Sequence, residues 1–285
     1  MTFNPANKSF YFLWLFIFQV LPAVGQYDVQ EIERTDEKEL KVRLEYAAGK
    51  LSLKKISTDK LARITIQSED REVKPTVDYE KNGTTGMISM RMDEENNVGF
   101  FDVGNQDIQM YLTDKIPVSF KIDLGACESE MDFTQLRVRD LTLNMGASSS
   151  NIRFSSLNRD RINKFRIEAG ISKLNMYGLG NANFEKLEFE GGVGNYMLDF
   201  SGTMTQSASA HITVGIGSLI IRLPQNLAVK IHTDESYLSS IRIDQNDFVK
   251  KRDGLYISKG FDAADAVLEL HLETGLGKLR VESIK

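Results

Sequence analysis

The amino-acid sequence predicts an all-β protein built as a single β-solenoid, with a smaller β module at its N-terminal end. Three observations support this fold class. Apolar and polar residues alternate over many short segments, a glycine interrupts most of these segments, and the glycines recur at a nearly constant spacing. A period of two is typical of strands that bury one face. No apolar stripe with helical spacing is long enough to predict a packed helix.

The glycine repeat gives the predicted coil length. Successive copies from Gly104 to Gly215 lie 21, 21, 24, 22 and 23 residues apart, and the 60 residues before Gly275 must hold additional elements. A unit of this length cannot bury its apolar face alone, so it must stack on its neighbours about 4.8 Å away. Each glycine is expected at a bulge or sharp corner, where its φ angle is free to be positive. The predicted coil corners are Gly104, Gly125, Gly146, Gly170, Gly192, Gly215 and Gly275.

Apolar residues occupy fixed positions around each glycine. They lie five and three residues before it and four, six and eight residues after it, although the copies at Gly125 and Gly146 are weak at +4. Gly49 is interpreted as a degenerate earlier copy. The alternative is an antiparallel sandwich or barrel with hairpins every 8–12 residues. The solenoid is favoured because the same phase returns after each coil. It requires one column formed by Leu143, Ile167, Phe189 and Ile212.

The first 25 residues have the order of a secretory signal peptide. Lys8 precedes a short apolar run at residues 10–18, and residues 23–25 fit a small-x-small cleavage site. The alternative, an uncleaved anchor, needs about 20 apolar residues. We therefore expect cleavage after Gly25 and an exported protein, periplasmic or at the cell surface, with no transmembrane segment in the mature chain. The predicted domains are the signal peptide at 1–25, the N-terminal β module at 27–98 and the solenoid at 99–285.

Composition excludes several classes of protein. With 41% apolar residues the chain has enough material for a large core, and 21 glycines against 5 prolines fit neither collagen nor a proline-rich linker. The single cysteine, Cys127, excludes an intramolecular disulfide and a cysteine zinc cage, and we expect it to be buried. The net charge of −5 gives no reason to expect nucleic acid as a partner.

No residue set in the sequence predicts catalysis, a cofactor or a metal site. His211 and His271 both lie four residues before a corner glycine and could share an outward face, but neither they nor His232 has a second ligand at short spacing. There is no Gly-x-Ser-x-Gly motif, and the Gly-x-Gly segments at 215–217 and 275–277 do not complete a nucleotide loop. We expect a protein that is not an enzyme. The alternative is a polysaccharide lyase or hydrolase, supported only by analogy between solenoid folds.

Residues 135–175 have a local charge excess of +5 in an otherwise acidic chain. One hypothesis is contact with anionic lipid, lipopolysaccharide or a wall polymer. The favoured alternative is a solvated coil face whose charges limit edge pairing. The basic residues concerned are Arg137, Arg139, Arg153, Arg159, Arg161, Lys164, Arg166 and Lys173.

Short motifs at both ends of the chain resemble a known family. Ala48-Gly-Lys-Leu-Ser-Leu53 and Lys74-Pro-Thr-Val-Asp-Tyr79 match the Gly-Lys-Leu and Pro-x-Val-x-Tyr strands of the N-terminal domain of toast-rack bacterial envelope proteins. The segments at 214–224 and 274–281, with Phe248 and residues 254–256 between them, resemble the C-terminal domain of LiaF-like proteins. The resemblance covers most of residues 40–285 and implies a non-enzymatic β-solenoid in the bacterial cell envelope.

LiaF itself is a membrane-bound regulator of a cell-wall stress response, with transmembrane helices before this domain. The present sequence shows a signal peptide in place of that bundle, so the resemblance implies an exported scaffold, adhesin-like or binding protein more than direct control of a sensor kinase. The expected partners are an envelope protein or a wall or surface polymer. Because solenoid ends expose strand edges, a homodimer through a terminal coil is a further expectation.

Overall fold

The computed structural model describes residues 26–68, 75–92, 106–234, 239–259, 261 and 265–285. The predicted signal peptide, the corner at Gly104 and the predicted domain boundary at residues 98 and 99 all lie outside the described residues.

The described residues form sixteen strands and one turn of 3-10 helix, and the strands belong to a single sheet. The first six strands are β1 (Gln26–Ile32), β2 (Glu39–Lys55), β3 (Ala62–Ser68), β4 (Pro75–Asn82), β5 (Thr85–Met92) and β6 (Gln106–Leu112). The next five are β7 (Val118–Asp132), β8 (Val138–Arg153), β9 (Lys164–Tyr177), β10 (Lys186–Asp199) and β11 (Ala208–Pro224). The last five are β12 (Ala228–Thr233), β13 (Ser239–Ile243), β14 (Phe248–Arg252), β15 (Leu255–Ser258) and β16 (Val267–Ile284).

Seven long strands form the body of the solenoid. β2, β7, β8, β9, β10, β11 and β16 lie side by side in this order, parallel and in register. The register pairs Leu143 with Ile167, Ile167 with Phe189, and Phe189 with Ile212. The predicted column therefore exists, and the prediction of a β-solenoid is confirmed.

Each end of the stack is finished by a coil made from two short strands. At the N-terminal end, β5 pairs with the first half of β2 and β6 with the second half. At the C-terminal end, β12 and β13 pair in the same way with the two halves of β16. Antiparallel strands then cover these coils: β4 and the β3–β1 pair at one end, and the β15–β14 pair at the other. The N-terminal strands are thus continuous with the solenoid, because β2 lies between β6 and β7.

The long strands change their buried phase at the corner. In β7, Leu124 is buried immediately before Gly125, and the next buried positions are Cys127, Ser129 and Met131. The glycine adds one residue to the alternation, as a β-bulge does, so that both halves of the strand face the same core. The aromatic rings of Phe120 and Phe133, which lie before and after the corner, are 5.2 Å apart and meet edge to face.

The expectation that the corner glycines use a positive φ angle is wrong. The glycines with positive φ include Gly217 and Gly277, which lie two residues after a corner, but none of the corner glycines from Gly125 to Gly275. The corner excludes a side chain for another reason. A Cβ atom on Gly192 would lie 2.6 Å from the carbonyl oxygen of Gly170 on the preceding coil. Glycine is required there because the stacked backbones approach each other closely.

The interpretation of Gly49 as an early corner is wrong by two residues. Ala48 pairs with Ala126 and Gly49 pairs with Cys127, so Ala47 stands at the corner position beside Gly125. Gly49 has a φ of 123°, and a Cβ atom there would lie 2.3 Å from the carbonyl oxygen of Gln106. It therefore belongs to the column that also contains Gly217 and Gly277.

The structure explains why the copies at Gly125 and Gly146 lack an apolar residue four positions after the glycine. The residues at these positions are Ser129 and Ser150, which are 3% and 1% exposed and directly paired in adjacent strands. Ser129 Oγ donates a hydrogen bond of 2.8 Å to Ser150 Oγ, so the two hydroxyl groups satisfy each other inside the core.

Cys127 is buried, as predicted. Burial raises the pKa of its thiol to about 11, so the thiolate is scarce at neutral pH and the side chain serves as a small core residue.

We predict that Gly192→Ala destabilises the protein more than Gly146→Ala. The added Cβ would lie 2.6 Å from a backbone oxygen at Gly192 but 3.1 Å from one at Gly146. Overpacking of this kind costs about 1–3 kcal/mol, and we expect a smaller loss at Gly146. Urea unfolding of both variants measures the difference, and equal losses would contradict the proposed role of backbone approach.

We predict that the double variant Ser129→Ala/Ser150→Ala loses less stability than the sum of the losses of the two single variants. Each single change leaves the other buried hydroxyl without this partner, at about 1–3 kcal/mol, whereas the double change removes both polar groups. A double-mutant cycle by chemical denaturation should give a coupling energy of roughly 1 kcal/mol or more. Strictly additive losses would show that the hydrogen bond adds nothing.

Candidate binding groove

Outward side chains of the stacked strands form columns, just as the inward ones do. The position two residues before the corner carries an oxygen-bearing side chain in each long strand from β2 to β11. Because the strands are in register, these side chains form one column. From β2 to β11 its members are Glu45, Asp123, Asn144, Glu168, Glu190 and Thr213.

An open groove of about 1200 Å³ follows this column. The column lines it together with the corner residues, which run from Ala47 to Gly215 and bear no side chain beyond Cβ. The groove crosses six strands, from β2 to β11, so it is about 24 Å long at 4.8 Å per strand. The sequence produces this shape directly, since the glycines that permit close stacking also leave the corner without side chains.

Positive side chains form ion pairs with several of the groove carboxylates. Arg166 contacts two of them, with 2.7 Å from its Nε to Glu168 Oε1 and 3.0 Å from its Nη2 to Glu190 Oε1. It also reaches Glu188 at 3.0 Å. These carboxylates, with the hydrogen bond to Glu168 as the largest effect, raise the pKa of Arg166. Glu45 is paired with Arg43 at 2.9 Å.

An exposed apolar row runs immediately after the corner residues. Ile171, Val193, Ile216 and Leu276 are paired in adjacent strands, and all four are exposed, Ile171 by 69%. Ala126 and Ala147 continue the row toward the N-terminal end. Along each long strand, the residue of the oxygen-bearing column is followed by the corner residue and then by the residue of the apolar row. This order repeats over most of the stack.

The basic residues of 135–175 find acidic partners in other coils. Arg137 Nε contacts Asp160 Oδ2 at 2.7 Å, and Arg139 Nη1 contacts Glu39 Oε2 at 3.1 Å. The remaining pairs and contacts are Arg159 with Asp114, Arg161 with Glu185, Arg166 with the three glutamates given above, and Arg153 over the ring of Tyr177.

The other two basic residues occupy outward positions of β9. Lys164 is in register with Asp140, and Lys173 is in register with Ser149 and Asn195. The local excess of positive charge in the sequence is therefore not a uniform positive surface. The anionic-surface contact stays a prediction.

The structure brings the three histidines together on the outward face. His211 and His271 are in register, which confirms that they share a face, and His232 of β12 is in register with His271 on its other side. Their rings stack with centroids 4.4 Å and 4.6 Å apart. Burial, and then the neighbouring His211 and His232, lower the pKa of His271. Counting from the corner glycines could not place His232, because no repeat glycine lies beside it in the sequence.

The fold and this surface define a class: a parallel β-solenoid that carries an open groove on its sheet face. The chain belongs to the toast-rack family. The family model described as the N-terminal domain of toast_rack, DUF2154, matches residues 23–177, more than half of the chain. This confirms the family predicted from the N-terminal motifs, and the LiaF-like character of the C-terminal part stays a prediction.

Several solved structures are similar to the chain. A "putative cell adhesion protein" from Clostridium sporogenes is 16% identical, with 91% of this chain and 100% of that chain covered and a TM-score of 0.48. A "putative adhesin" from Bacteroides fragilis is 12% identical, with 90% and 97% covered and a TM-score of 0.39. A "Putative lipid binding protein" from Parabacteroides distasonis is 11% identical, with 92% and 98% covered and a TM-score of 0.31. No curated protein matches the chain.

In the part of the chain that the structure describes, no helix has the length and apolar character needed to cross a bilayer.

Proposed function

We propose that this chain is a non-enzymatic, exported protein of the cell envelope that binds an extended polymer along the groove. The observation that supports this proposal is the continuous groove across six in-register strands, in which the same wall and the same floor are repeated from coil to coil. Repeated contacts suit a ligand that is itself a repeat.

The openness of the groove argues against a small molecule as its ligand. Sites for small molecules are concave and bury most of the ligand surface. Here the groove is an open trough about 24 Å long on the surface of the sheet. An extended chain can contact it at each coil, so that many weak contacts add to a useful affinity.

The charge of the wall indicates the chemistry of the polymer. Glu45, Asp123, Glu168 and Glu190 all face the groove. Carboxylates accept hydrogen bonds from hydroxyl groups and attract ammonium groups, and they repel polyanions. We therefore propose a hydroxyl- and amine-bearing glycan of the wall or cell surface as the ligand.

The pairing of the groove carboxylates argues against the alternative of a glycan-cleaving enzyme. Glycoside hydrolysis needs one carboxyl group that is protonated and donates its proton to the leaving oxygen. Glu168 and Glu190 both place a carboxylate oxygen on the guanidinium of Arg166, so these oxygens are already occupied by an ion pair and are not free to face a leaving oxygen. This arrangement supports binding more than acid catalysis.

Export and a role in wall stress are parts of the proposal that each depend on one observation. Export rests on the pattern of the first 25 residues, and a link to wall stress rests on the LiaF-like resemblance alone. A dimer through a terminal coil would use the edge strands, yet the edge strand β14 is short and contains Lys250, Lys251 and Arg252. Short, basic edges disfavour the addition of further strands.

We predict that Glu190→Gln weakens the binding of a chitosan hexamer at least threefold, because it removes one of the wall charges that attract ammonium groups. Glu185→Gln is the matched control. Glu185 is paired with Arg161 just before β10 and does not line the groove. Isothermal titration calorimetry measures both, with a chitin hexamer as the neutral ligand and an alginate hexamer as the anionic one.

Three results would contradict the proposal. They are tighter binding of alginate than of chitosan, equal effects of the two substitutions, and release of new reducing ends from the hexamers, which would favour the enzyme.

We predict that the full chain is exported and cut after Gly25 in a bacterial host, whereas a chain that starts at Gln26 stays in the cytoplasm. The apolar run of residues 10–18 is the segment that the export machinery would recognise. Cell fractionation and N-terminal sequencing of the exported protein check this. An uncut, membrane-bound product would instead indicate an anchor.

A further inference from the structure

A cluster of two histidines and one glutamate lies on the outward face near the C-terminal end of the stack. His232, Glu269 and His271 each place a potential ligand atom within 4.8 Å of the other two. We propose that these three side chains bind one divalent transition-metal ion of the zinc type. The site is separate from the proposed polymer groove, whose lining ends at Gly215 of β11.

The distances between the ligand atoms bracket those of a metal shell. His232 Nε2 lies 2.9 Å from Glu269 Oε1, and His271 Nε2 lies 3.9 Å from the same oxygen. Zinc binds imidazole nitrogen and carboxylate oxygen at about 2.0–2.2 Å, which in a tetrahedron sets neighbouring ligand atoms roughly 3.4 Å apart. Rotation of the imidazole rings about their side-chain bonds would bring the ligand atoms to this spacing.

The sheet holds the three backbones in place before any ion binds. Glu269 and His271 are two residues apart on β16 and therefore point to the same face. His232 of β12 is paired in register with His271, and Lys230 with Glu269. The stacked rings of His232 and His271 are nearly parallel, at 3°, so one imidazole must turn for both nitrogen lone pairs to meet one ion.

Lys230 competes with an ion for the carboxylate. Its Nζ lies 3.0 Å from Glu269 Oε1, the oxygen that also faces His232. A bound cation would displace this ammonium group, since two positive charges cannot share the same oxygen at this distance without strong repulsion. The competition lowers the affinity of the site and provides a direct test of it.

The ligand set selects the class of ion. Two imidazole nitrogens and one carboxylate suit zinc, copper, nickel or cobalt, whereas calcium and magnesium prefer oxygen ligands alone. Three protein ligands leave a fourth position for water or a further group. An ion at this place would join β16 to β12 and fasten the terminal coil to the stack.

We predict that the untagged, EDTA-treated protein binds one equivalent of zinc in isothermal titration calorimetry and does not bind calcium. His232→Gln and His271→Gln should each weaken zinc binding at least tenfold. Lys230→Met should tighten it several-fold by removing the competing charge. His211→Gln, which removes the stacked histidine outside the ligand set, is the matched control and should change the affinity less than threefold.

A second measurement needs no variant. Cobalt bound to the wild-type protein by two nitrogens and a carboxylate should show visible absorption bands that zinc abolishes by displacement.

The proposal is overturned if zinc does not saturate at one equivalent, if His271→Gln binds as tightly as the wild type while circular dichroism shows it folded, or if His211→Gln loses as much affinity as His271→Gln.

Discussion

The close approach of stacked backbones at the coil corners is the constraint on which the rest of the structure depends. A Cβ atom at Gly275 would lie 2.6 Å from the oxygen of Gly215, and one at Gly215 would lie 2.9 Å from the oxygen of Gly192. Because these positions exclude side chains, each strand can bend there without losing register with its neighbours. The bend turns both halves of each long strand toward one core, and the same missing side chains leave the groove on the outside.

In-register stacking also determines which charges meet. From β7 to β11, residues about 21 to 24 apart in the sequence become neighbours about 4.8 Å apart, so the partners of a side chain are found by counting coils. Arg166 meets Glu188 and Glu190 of the next coil. Arg222 meets Glu282 at 3.7 Å although the two are 60 residues apart, because β16 stacks directly on β11. A stretch that is positive along the chain is therefore crossed by acidic residues of other coils. For a solenoid, local charge in the sequence is a poor guide to surface charge.

The parts of the fold that follow the repeat could be predicted from the sequence, and the parts that leave it could not. The glycine spacing correctly placed the column from Leu143 to Ile212, because a constant offset from the corner fixes the buried phase. It misplaced the first corner, since Ala47 and Gly49 belong to two neighbouring columns of small residues that a single glycine cannot distinguish.

The coils at the two ends of the stack could not be predicted by counting residues from the corner glycines, for a different reason. These coils are split into two short strands each, and β16 lies between β11 and β12, out of sequence order. No local pattern encodes that order. It follows from long-range pairing that only the assembled sheet reveals, and the convergence of His232 with Glu269 and His271 depends on it.

The outward columns differ from the inward ones in how freely they can change. An inward residue such as Phe189 contacts the core of several coils, so its replacement costs stability, whereas Glu190 beside it is 58% exposed on the side chain and contributes little to packing. The same scaffold can therefore carry different ligands by changing only its outward columns. The two proposed sites occupy different regions of that face. The groove crosses the middle of the stack, where similar coils repeat, and the histidines lie where β12 ends the parallel stacking. A terminal coil has a full-length parallel neighbour on only one side, so an ion that joins it to β16 would add a contact where the sheet itself provides fewest.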